Sequence, residues 1–264
     1  MIVRQAQKRI AERLEPVAKE DAVLEATFLL SANGFHSPYQ TVSETDAAAL
    51  DALIKRRLTG EPLQYVLGEW EFYGLPMFVN PSVLIPRPET ERLVEAALGF
   101  LDAAHCEVLD LCCGSGCIGI ALAALSGVQV TAVDISADAL ELAERNAHRN
   151  GVSIQTLRSD FLDDVDGTFD MIVCNPPYLS DAEMDARDES LRFEPALALA
   201  GGADGLDFYR RLAKDYLRVL RPGGVLLTEI GMTQKETVLS LFPGAECLTD
   251  YGGRPRVIVV KRNA

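Results

Sequence analysis

Long apolar segments are missing from this sequence, and basic residues are scarce. No window of about 18 residues is both apolar and free of charge, which argues against a membrane-spanning helix. The first residues mix Arg and Lys with Glu12 and contain no apolar core of the kind that a secretion signal carries. Lys and Arg total 25 against 39 Asp and Glu, and the net charge of −14 disfavours nucleic acid as the main partner. The sequence therefore predicts a cytoplasmic protein that contacts neither membranes nor, directly, nucleic acid.

Histidine is also rare, and this limits the metal sites that the 6 cysteines could build. Cys112, Cys113 and Cys117 lie close together in the chain, but zinc sites need four ligands in two separated pairs. The only histidine nearby is His105. Without a secretion signal, a reducing compartment with free thiols is the simplest interpretation. We expect no bound metal.

The chain divides into three parts by composition and pattern. Its 264 residues allow one large domain, or one ordinary domain and a small one. Residues 1–64 contain helical periodicity and no convincing strand, and residues 65–88 mix aromatic and β-branched residues with prolines and glycines. In residues 89–264, strands and helices alternate. This organisation predicts a small N-terminal helical domain, a β-hairpin connector and one α/β domain.

Two helices of the N-terminal region carry clear signals. Ser43, followed three positions later by Asp46, resembles a capping box, which predicts that a helix begins there. An earlier helix is expected to end near Asn33-Gly34. The apolar face expected for this earlier helix consists of Val23, Leu24, Phe28 and Leu29.

The alternating pattern in the C-terminal part predicts a doubly wound α/β sheet. A last strand at residues 256–261 follows a turn at Gly252-Gly253, with too few intervening residues for a helical crossover. This strand is therefore expected to run antiparallel to its neighbour. The strands predicted before it cover residues 108–110, 128–133, 169–174 and 225–229.

A glycine-rich loop follows the first of these strands. Gly114-Ser115-Gly116 begins a G-x-G-x-x-G pattern, in which bare backbone can approach a ligand at a helix N-terminus. Asp134 ends the next strand, 20 residues after Gly114, where a carboxylate can accept both hydroxyls of a ribose. Tight strand-to-helix packing would also explain the glycines. Together with Asp134, they indicate a ligand with an adenosine-like sugar.

Acidic residues distinguish S-adenosylmethionine from a dinucleotide as that ligand. Asp110 ends the first strand, where its carboxylate could reach a ligand ammonium group but would repel a pyrophosphate. Asp160 and Phe161 follow a third short strand and offer an acceptor for the adenine amine and an aromatic face for the ring. Asp160 could instead cap a turn. The combination favours S-adenosylmethionine.

The most informative segment is Asn175-Pro176-Pro177-Tyr178, directly after the strand at 169–174. The two prolines remove two backbone donors and leave carbonyls that only accept, and Asn175 adds a side-chain oxygen. Such a turn can hold both hydrogens of a planar N–H₂ group and aim its nitrogen at an electrophilic methyl, while Tyr178 covers the flat face. We therefore predict Asn175, Pro176 and Tyr178 as catalytic and the whole turn, with Pro177, as the substrate site.

These motifs resemble the protein-(glutamine-N5) methyltransferases of the PrmC or HemK type, which modify peptide chain release factors. The likeness begins at about residue 57 and covers nearly all of the chain after it. Its most specific segment is 84–91 (L-I-P-R-P-E-T-E). The other segments are 57–68, 72–74, 175–178, 194–195, 201–206 and 229–231.

The resemblance implies a fold, a cofactor and a partner. Residues 89–264 would form a Rossmann-like S-adenosylmethionine-dependent methyltransferase sheet, and residues 1–64 would help to hold the protein substrate. The glutamine of the release factor's Gly-Gly-Gln motif would enter the Asn175 turn. Independently of the resemblance, we expect the protein to act as a monomer. S-adenosylmethionine, which becomes S-adenosylhomocysteine, would sit against Cys112, Cys113, Gly114, Ser115, Gly116, Asp134, Phe161 and Asn175.

Other functions share part of these signals. The segment 110–116 (D-L-C-C-G-S-G) also resembles sister enzymes that methylate a glutamine of a ribosomal protein. A lone N-P-P-Y occurs in adenine-N6 methyltransferases, which act on a flipped base, although the acidic charge argues against a duplex partner. A third alternative is a translation-associated binding module without turnover.

Overall fold

The computed structural model describes residues 1–101 and 106–263, and these form two compact units. The first consists of Met1–Glu69 together with the short segment Asp188–Phe193. The second consists of Trp70–Arg187 and the part of the chain that begins at Glu194. Across the described ranges, no helix is long and apolar enough to cross a membrane.

The first unit is helical. Helices α1 (Val3–Ala18), α2 (Ala22–Ala32), α3 (Glu44–Leu58) and α4 (Leu63–Leu67) enclose a small apolar core. The predicted capping box at the start of α3 is confirmed, because the Asp46 backbone N–H donates to Ser43 Oγ at 3.2 Å and the Asp46 carboxylate accepts from the Ser43 N–H at 3.0 Å.

The apolar face predicted for α2 is wrong in three of its four positions. The helix buries Leu29 as expected, but its other buried residues include Ala26 and Leu30. Alanines let α2 pack closely, and a pattern search for large apolar side chains passes over them. The three misassigned side chains are exposed: Val23 by 60%, Leu24 by 54% and Phe28 by 37%.

The second unit begins with a hairpin and a short helical turn. Strands β1 (Glu69–Phe72) and β2 (Leu75–Phe78) pair with each other in a two-stranded sheet. A 3-10 turn, Pro88–Thr90, leads directly into helix α5 (Glu91–Leu98). The prolines of this stretch explain its irregular backbone, since each removes a hydrogen-bond donor.

The main sheet has seven strands in the order β5-β4-β3-β6-β7-β9-β8. The first five run parallel, and β9 lies antiparallel between β7 and β8, as predicted for the last strand. Strand β8 was not predicted. The strands are β3 (Glu107–Leu111), β4 (Gln129–Asp134), β5 (Gln155–Arg158), β6 (Phe169–Cys174), β7 (Leu220–Glu229), β8 (Glu246–Thr249) and β9 (Pro255–Lys261).

Helices cover both faces of this sheet, as expected for a doubly wound fold, and an apolar core lies on each side. Because the strand order reverses at β3, a crevice opens at the carboxyl ends of β3, β4 and β6, where such folds bind ligands. After α5, the helices of this unit are α6 (Cys117–Ser126), α7 (Ala137–Arg149), α8 (Asp181–Ala186), α9 (Asp207–Val219) and α10 (Lys235–Leu241).

Candidate active site

A cavity of about 340 Å³ lies at the carboxyl ends of the parallel strands, entirely within the second unit. The predicted sheet topology thus brings these motifs together around one cavity. Asp110, Gly116, Pro176 and Tyr178 are not in its wall. The predicted site residues that line it are Cys112, Cys113, Gly114, Ser115, Asp134, Asp160, Phe161, Asn175 and Pro177.

The glycine-rich loop serves both ligand access and packing. Gly116 directly precedes α6 and has a φ of +77°, and a Cβ there would lie 2.9 Å from Ala143 Cβ. A Cβ on Gly119 would lie 2.7 Å from Val130 Cγ1. These glycines therefore let α6 approach its neighbours closely, whereas Gly114 borders the cavity and has open space where its Cβ would be.

Asp134 is held in place by the loop beside it. Its Oδ2 accepts from the Gly114 N–H at 2.9 Å, and its Oδ1 accepts from the Ser136 N–H at 3.0 Å. Burial raises the pKa of this carboxyl, although these backbone donors oppose the shift. Each carboxylate oxygen keeps a second lone pair. The carboxylate can thus accept ribose hydroxyls from a ligand in the cavity.

Asp110 lies beneath the loop instead of in the cavity wall. It is fully buried, and its Oδ2 accepts from the Gly119 N–H at 2.8 Å. Its Oδ1 has no hydrogen-bond partner among the described residues. Burial raises the pKa of Asp110 to about 7, the Gly119 bond opposes the shift, and the charge of Asp134 adds to it. A buried carboxylate with a spare oxygen is stabilised by a nearby positive charge, which fits a cationic ligand.

Phe161 and Asp160 reach the cavity from the loop after β5. Phe161 has a φ of +61°, and its ring packs edge-on against Phe208 with centroids 5.7 Å apart. Arg211 was missed by the sequence analysis: its guanidinium carbon lies 5.0 Å from the Phe161 ring centroid. Arg211 Nη1 also donates to Asp160 Oδ1 at 2.8 Å. The acceptor predicted for the adenine amine is thus paired with an arginine in this structure.

The Asn-Pro-Pro-Tyr turn leaves the sheet at the end of β6. Asn175 Nδ2 donates to Thr90 Oγ1 at 3.2 Å, so one end of the carboxamide is bound to a protein group. Gln234 Nε2 donates to the Tyr178 carbonyl at 2.9 Å and holds the other end of the turn. Burial raises the pKa of the Tyr178 phenol to about 12, so this hydroxyl stays protonated at neutral pH.

The segment 84–91 forms another side of the cavity, although no site role was predicted for it. Thr90 and Arg87 line the cavity. The buried Glu194 carboxylate forms an ion pair with Arg87 and accepts from the Ile85 N–H at 3.0 Å. The signal in the sequence was the family resemblance of this segment, but only the fold shows which residues the segment meets.

Within residues 1–101 and 106–263, no group of three or more His, Cys, Asp or Glu side chains is arranged to hold a metal ion. His105 lies outside the described residues. Burial raises the pKa of the Cys113, Cys117 and Cys174 thiols, in the case of Cys117 to about 12. These thiols therefore stay protonated near neutral pH in the ligand-free protein.

Comparison with known proteins assigns the family. A profile described as "PrmC N-terminal domain" matches residues 5–68, and one described as "Methyltransferase small domain" matches residues 93–191. The release factor glutamine methyltransferase of Geobacter sulfurreducens is 42% identical over 254 residues, covering 90% of this chain and 89% of that protein. The chain belongs to the release factor glutamine methyltransferases. It is thus an enzyme of the S-adenosylmethionine-dependent methyltransferase class.

Other relatives agree with this assignment. The release factor glutamine methyltransferase of Agrobacterium fabrum is 37% identical over 275 residues, covering 95% of this chain and 94% of that protein. A crystal structure of a methyltransferase from Pyrococcus furiosus superposes with a TM-score of 0.55 and 17% identity, covering 82% of this chain and 100% of that one. This structural likeness supports the methyltransferase fold.

Proposed function

We propose that this enzyme methylates the side-chain amide nitrogen of the glutamine in the Gly-Gly-Gln motif of peptide chain release factors. The observation that carries the proposal is the position of Asn175, which borders the cavity of the glycine-rich loop at the end of β6. With its Nδ2 bound by Thr90, the asparagine has its oxygen left for a substrate hydrogen. The relatives are release factor glutamine methyltransferases, which supports the choice of substrate.

The chain's own residues would work mainly by positioning. An amide nitrogen is a poor nucleophile because its lone pair is delocalised, so holding its plane and its approach direction matters most. Asn175 Oδ1 and the Pro176 carbonyl would accept the two amide hydrogens, and Tyr178 would cover the flat face. Precise positioning of two bound reactants can supply about 7–11 kcal/mol of the barrier reduction. No histidine base is required by this arrangement.

The cofactor would occupy the cavity beside that turn. S-adenosylmethionine, when bound, supplies a methyl group on a positively charged sulfur. Asp134 would accept the ribose hydroxyls, Phe161 would pack against adenine, and the buried Asp110 would contribute negative potential. Asp160 accepts from Arg211 through Oδ1, and its carboxylate would have further lone pairs to accept from the adenine amine.

Further parts of the proposal concern the setting of the reaction. We propose that residues 1–64 recognise the release factor, that residues 65–88 connect the domains and that residues 89–264 carry catalysis. The same proposal includes a monomeric enzyme in the cytoplasm that needs no metal and binds no nucleic acid directly.

The test is methyl transfer from S-adenosylmethionine with a tritiated methyl group. Purified release factor should become labelled, and the same release factor with Gln→Ala in its Gly-Gly-Gln motif should not. Tryptic mass spectrometry should show a gain of about 14 Da on that glutamine, since methyl replaces hydrogen. A ribosomal-protein pool and an adenine-containing oligonucleotide serve as competing substrates. Label that appears on either of these, with none on the release factor, would contradict the proposal.

A further inference from the structure

Helix α9 supplies two side chains to the end of the cavity where adenine would lie. Phe208 and Arg211 are three positions apart, so they project from the same side of the helix, and both line the cavity. Tyr209 and Leu212 are fully buried in the apolar core and hold the helix against the sheet. Arg211 therefore projects from a firmly packed helix towards the loop that follows β5.

Arg211 makes several polar contacts with this loop. Its Nη1 donates to Asp160 Oδ1 at 2.8 Å, and its Nη2 donates to the Asp160 backbone carbonyl at 3.1 Å. Nη2 also lies 3.6 Å from Asp163 Oδ1. A single exposed ion pair contributes little to stability, but a planar guanidinium that bonds a carboxylate and a carbonyl of one residue constrains the orientation of both.

The same guanidinium packs on the aromatic ring that follows Asp160. Its carbon lies 5.0 Å from the Phe161 ring centroid, and Phe208 contacts the ring edge-on. Phe161 has a φ of +61°, which is rare for a residue with a side chain and persists only where surrounding contacts hold it. Arg211 thus contacts both residues that the proposed cofactor site assigns to adenine.

The charge of Arg211 is offset beside the place of a cationic cofactor. An isolated arginine there would disfavour a ligand that carries a positive sulfur. The carboxylates of Asp160 and Asp163 both lie within ion-pair distance of Arg211, so the three side chains together are negative. Arg211 can therefore order the loop without repelling the cofactor.

The contact with Arg211 leaves the Asp160 carboxylate able to accept another hydrogen. Its Oδ1 is bound by Arg211, and a carboxylate has lone pairs for several donors. We propose that Arg211 is a positioning residue for the cofactor: it holds the Asp160 carboxylate and the Phe161 ring in the arrangement that recognises adenine. Arg211 thereby favours a purine with an exocyclic amine over one without it. This inference rests on the cofactor site proposed above.

Binding of two product analogues to the full-length enzyme tests this inference. S-adenosylhomocysteine carries the adenine amine, whereas S-inosylhomocysteine has an oxygen in its place, and we expect the wild type to prefer the former in calorimetry. Arg211→Met keeps an unbranched side chain against Phe161 and removes the polar contacts with Asp160. It should weaken S-adenosylhomocysteine about 10-fold, as expected for a hydrogen bond to a charged group, and S-inosylhomocysteine less than about 2-fold. A general structural defect would weaken both analogues alike.

Arg210→Met is the matched control on the same helix. Arg210 Nη1 donates to Asp204 Oδ1 at 2.9 Å and lies 3.2 Å from Asp207 Oδ1, and its side chain does not line the cavity. This variant should keep the wild-type preference between the analogues.

Two further measurements separate positioning from other roles. Asp160→Ala should remove the preference, and Arg211→Met should have little further effect in that background, because both residues act through one contact. In turnover assays, Arg211→Met should raise KM for S-adenosylmethionine and leave kcat at saturation close to that of the wild type.

The preference between the two analogues decides the inference. Equal binding of both by the wild type overturns it, and so does an unchanged preference in Arg211→Met or in Asp160→Ala. If Arg211→Met does not fold, Arg211→Ala takes its place with the same expected loss of preference. A wild type that binds neither analogue overturns the proposed cofactor site and this inference together. If the wild type binds S-adenosylhomocysteine but labels no release factor, only the proposed methylation fails, and calorimetry still tests Arg211.

Discussion

Asn175 is the residue on which the proposed chemistry depends most directly. We expect Asn175→Ala to lower kcat about 10²- to 10³-fold, the range seen when one polar group that stabilises a transition state is removed. The affinity for S-adenosylmethionine should change less, because the expected ribose and adenine contacts lie at β4 and β5. Steady-state kinetics and calorimetry measure the two effects.

Asn150→Ala provides a control for this variant. Asn150 Nδ2 donates to the Pro76 carbonyl at 3.0 Å, and its side chain does not line the cavity. Its replacement should leave kcat unchanged. If Asn175→Ala retained the wild-type turnover rate, Asn175 would have no part in the mechanism.

Burial of Asp110 lowers the free energy of unfolding by an amount that depends on pH. Its pKa is raised to about 7 in the folded protein, so the unfolded chain loses this proton at a lower pH than the folded chain does. The folded state then binds more protons between about pH 4 and pH 7, and the free energy of unfolding falls across this range. We expect Asp110→Asn to reduce the drop in Tm between pH 5 and pH 8. Thermal unfolding of the ligand-free enzyme measures the difference.

Part of the decrease in Tm between pH 5 and pH 8 should remain in Asp110→Asn, because burial also raises the pKa of Glu229 to about 7. Asp166→Asn removes an exposed carboxyl and should leave the pH dependence of Tm as it is in the wild type. A Tm profile of Asp110→Asn parallel to that of the wild type would mean that the Asp110 carboxyl does not hold its proton in the fold.

At the scale of elements, the sequence predicted strands well where local signals were strong. Residues 169–174 form β6 with the predicted bounds, because a mainly apolar and buried run there is followed by Asn175 and two prolines. Strand β8, at Glu246–Thr249, was missed, since its residues are half-buried or exposed and give no apolar run. The face of α2 was misassigned because its buried side includes small alanines. Strands and helices at the edge of a core thus carry weaker signals than those at its centre.

Helix α6 depends on a glycine for its distance from the sheet. A Cβ at Gly119 would lie 2.7 Å from Val130 Cγ1 and 2.8 Å from Asp110 Oδ2, so α6 would have to move. We expect Gly119→Ala to lower the free energy of unfolding by about 1–3 kcal/mol, as overpacking usually does. Urea unfolding followed by circular dichroism measures this change.

Ser126→Ala on the same helix is the matched control, because its hydroxyl donates to the Leu122 carbonyl of its own helix. It should change the free energy of unfolding by less than about 0.5 kcal/mol. A Gly119→Ala variant as stable as this control would show that α6 has room for a methyl group at that position.

At the scale of the whole molecule, net charge distinguishes between the two substrates that the Asn-Pro-Pro-Tyr turn could hold, a glutamine side-chain amide and an adenine amine. A net charge of −14 repels a phosphate backbone, and binding to nucleic acid depends on basic contacts that release counterions. We expect no binding to an adenine-containing duplex at about 0.15 M salt and no methyl transfer to it. Fluorescence anisotropy over a salt series measures binding. Affinity that falls steeply with rising salt would contradict this expectation and favour the adenine-N6 alternative.

The sequence by itself determined the doubly wound sheet, its antiparallel last strand and nine of the residues that line the cavity. It could do so because Asp134 ends a strand, the glycine-rich loop and Asn175 each follow one, and the carboxyl ends of parallel strands meet at one edge. Only the tertiary structure placed Asp110 beneath the loop, Arg211 against Phe161 and Thr90 against Asn175, 85 positions away. Local periodicity determines which element a residue joins, whereas contacts between distant side chains depend on how the packed elements meet.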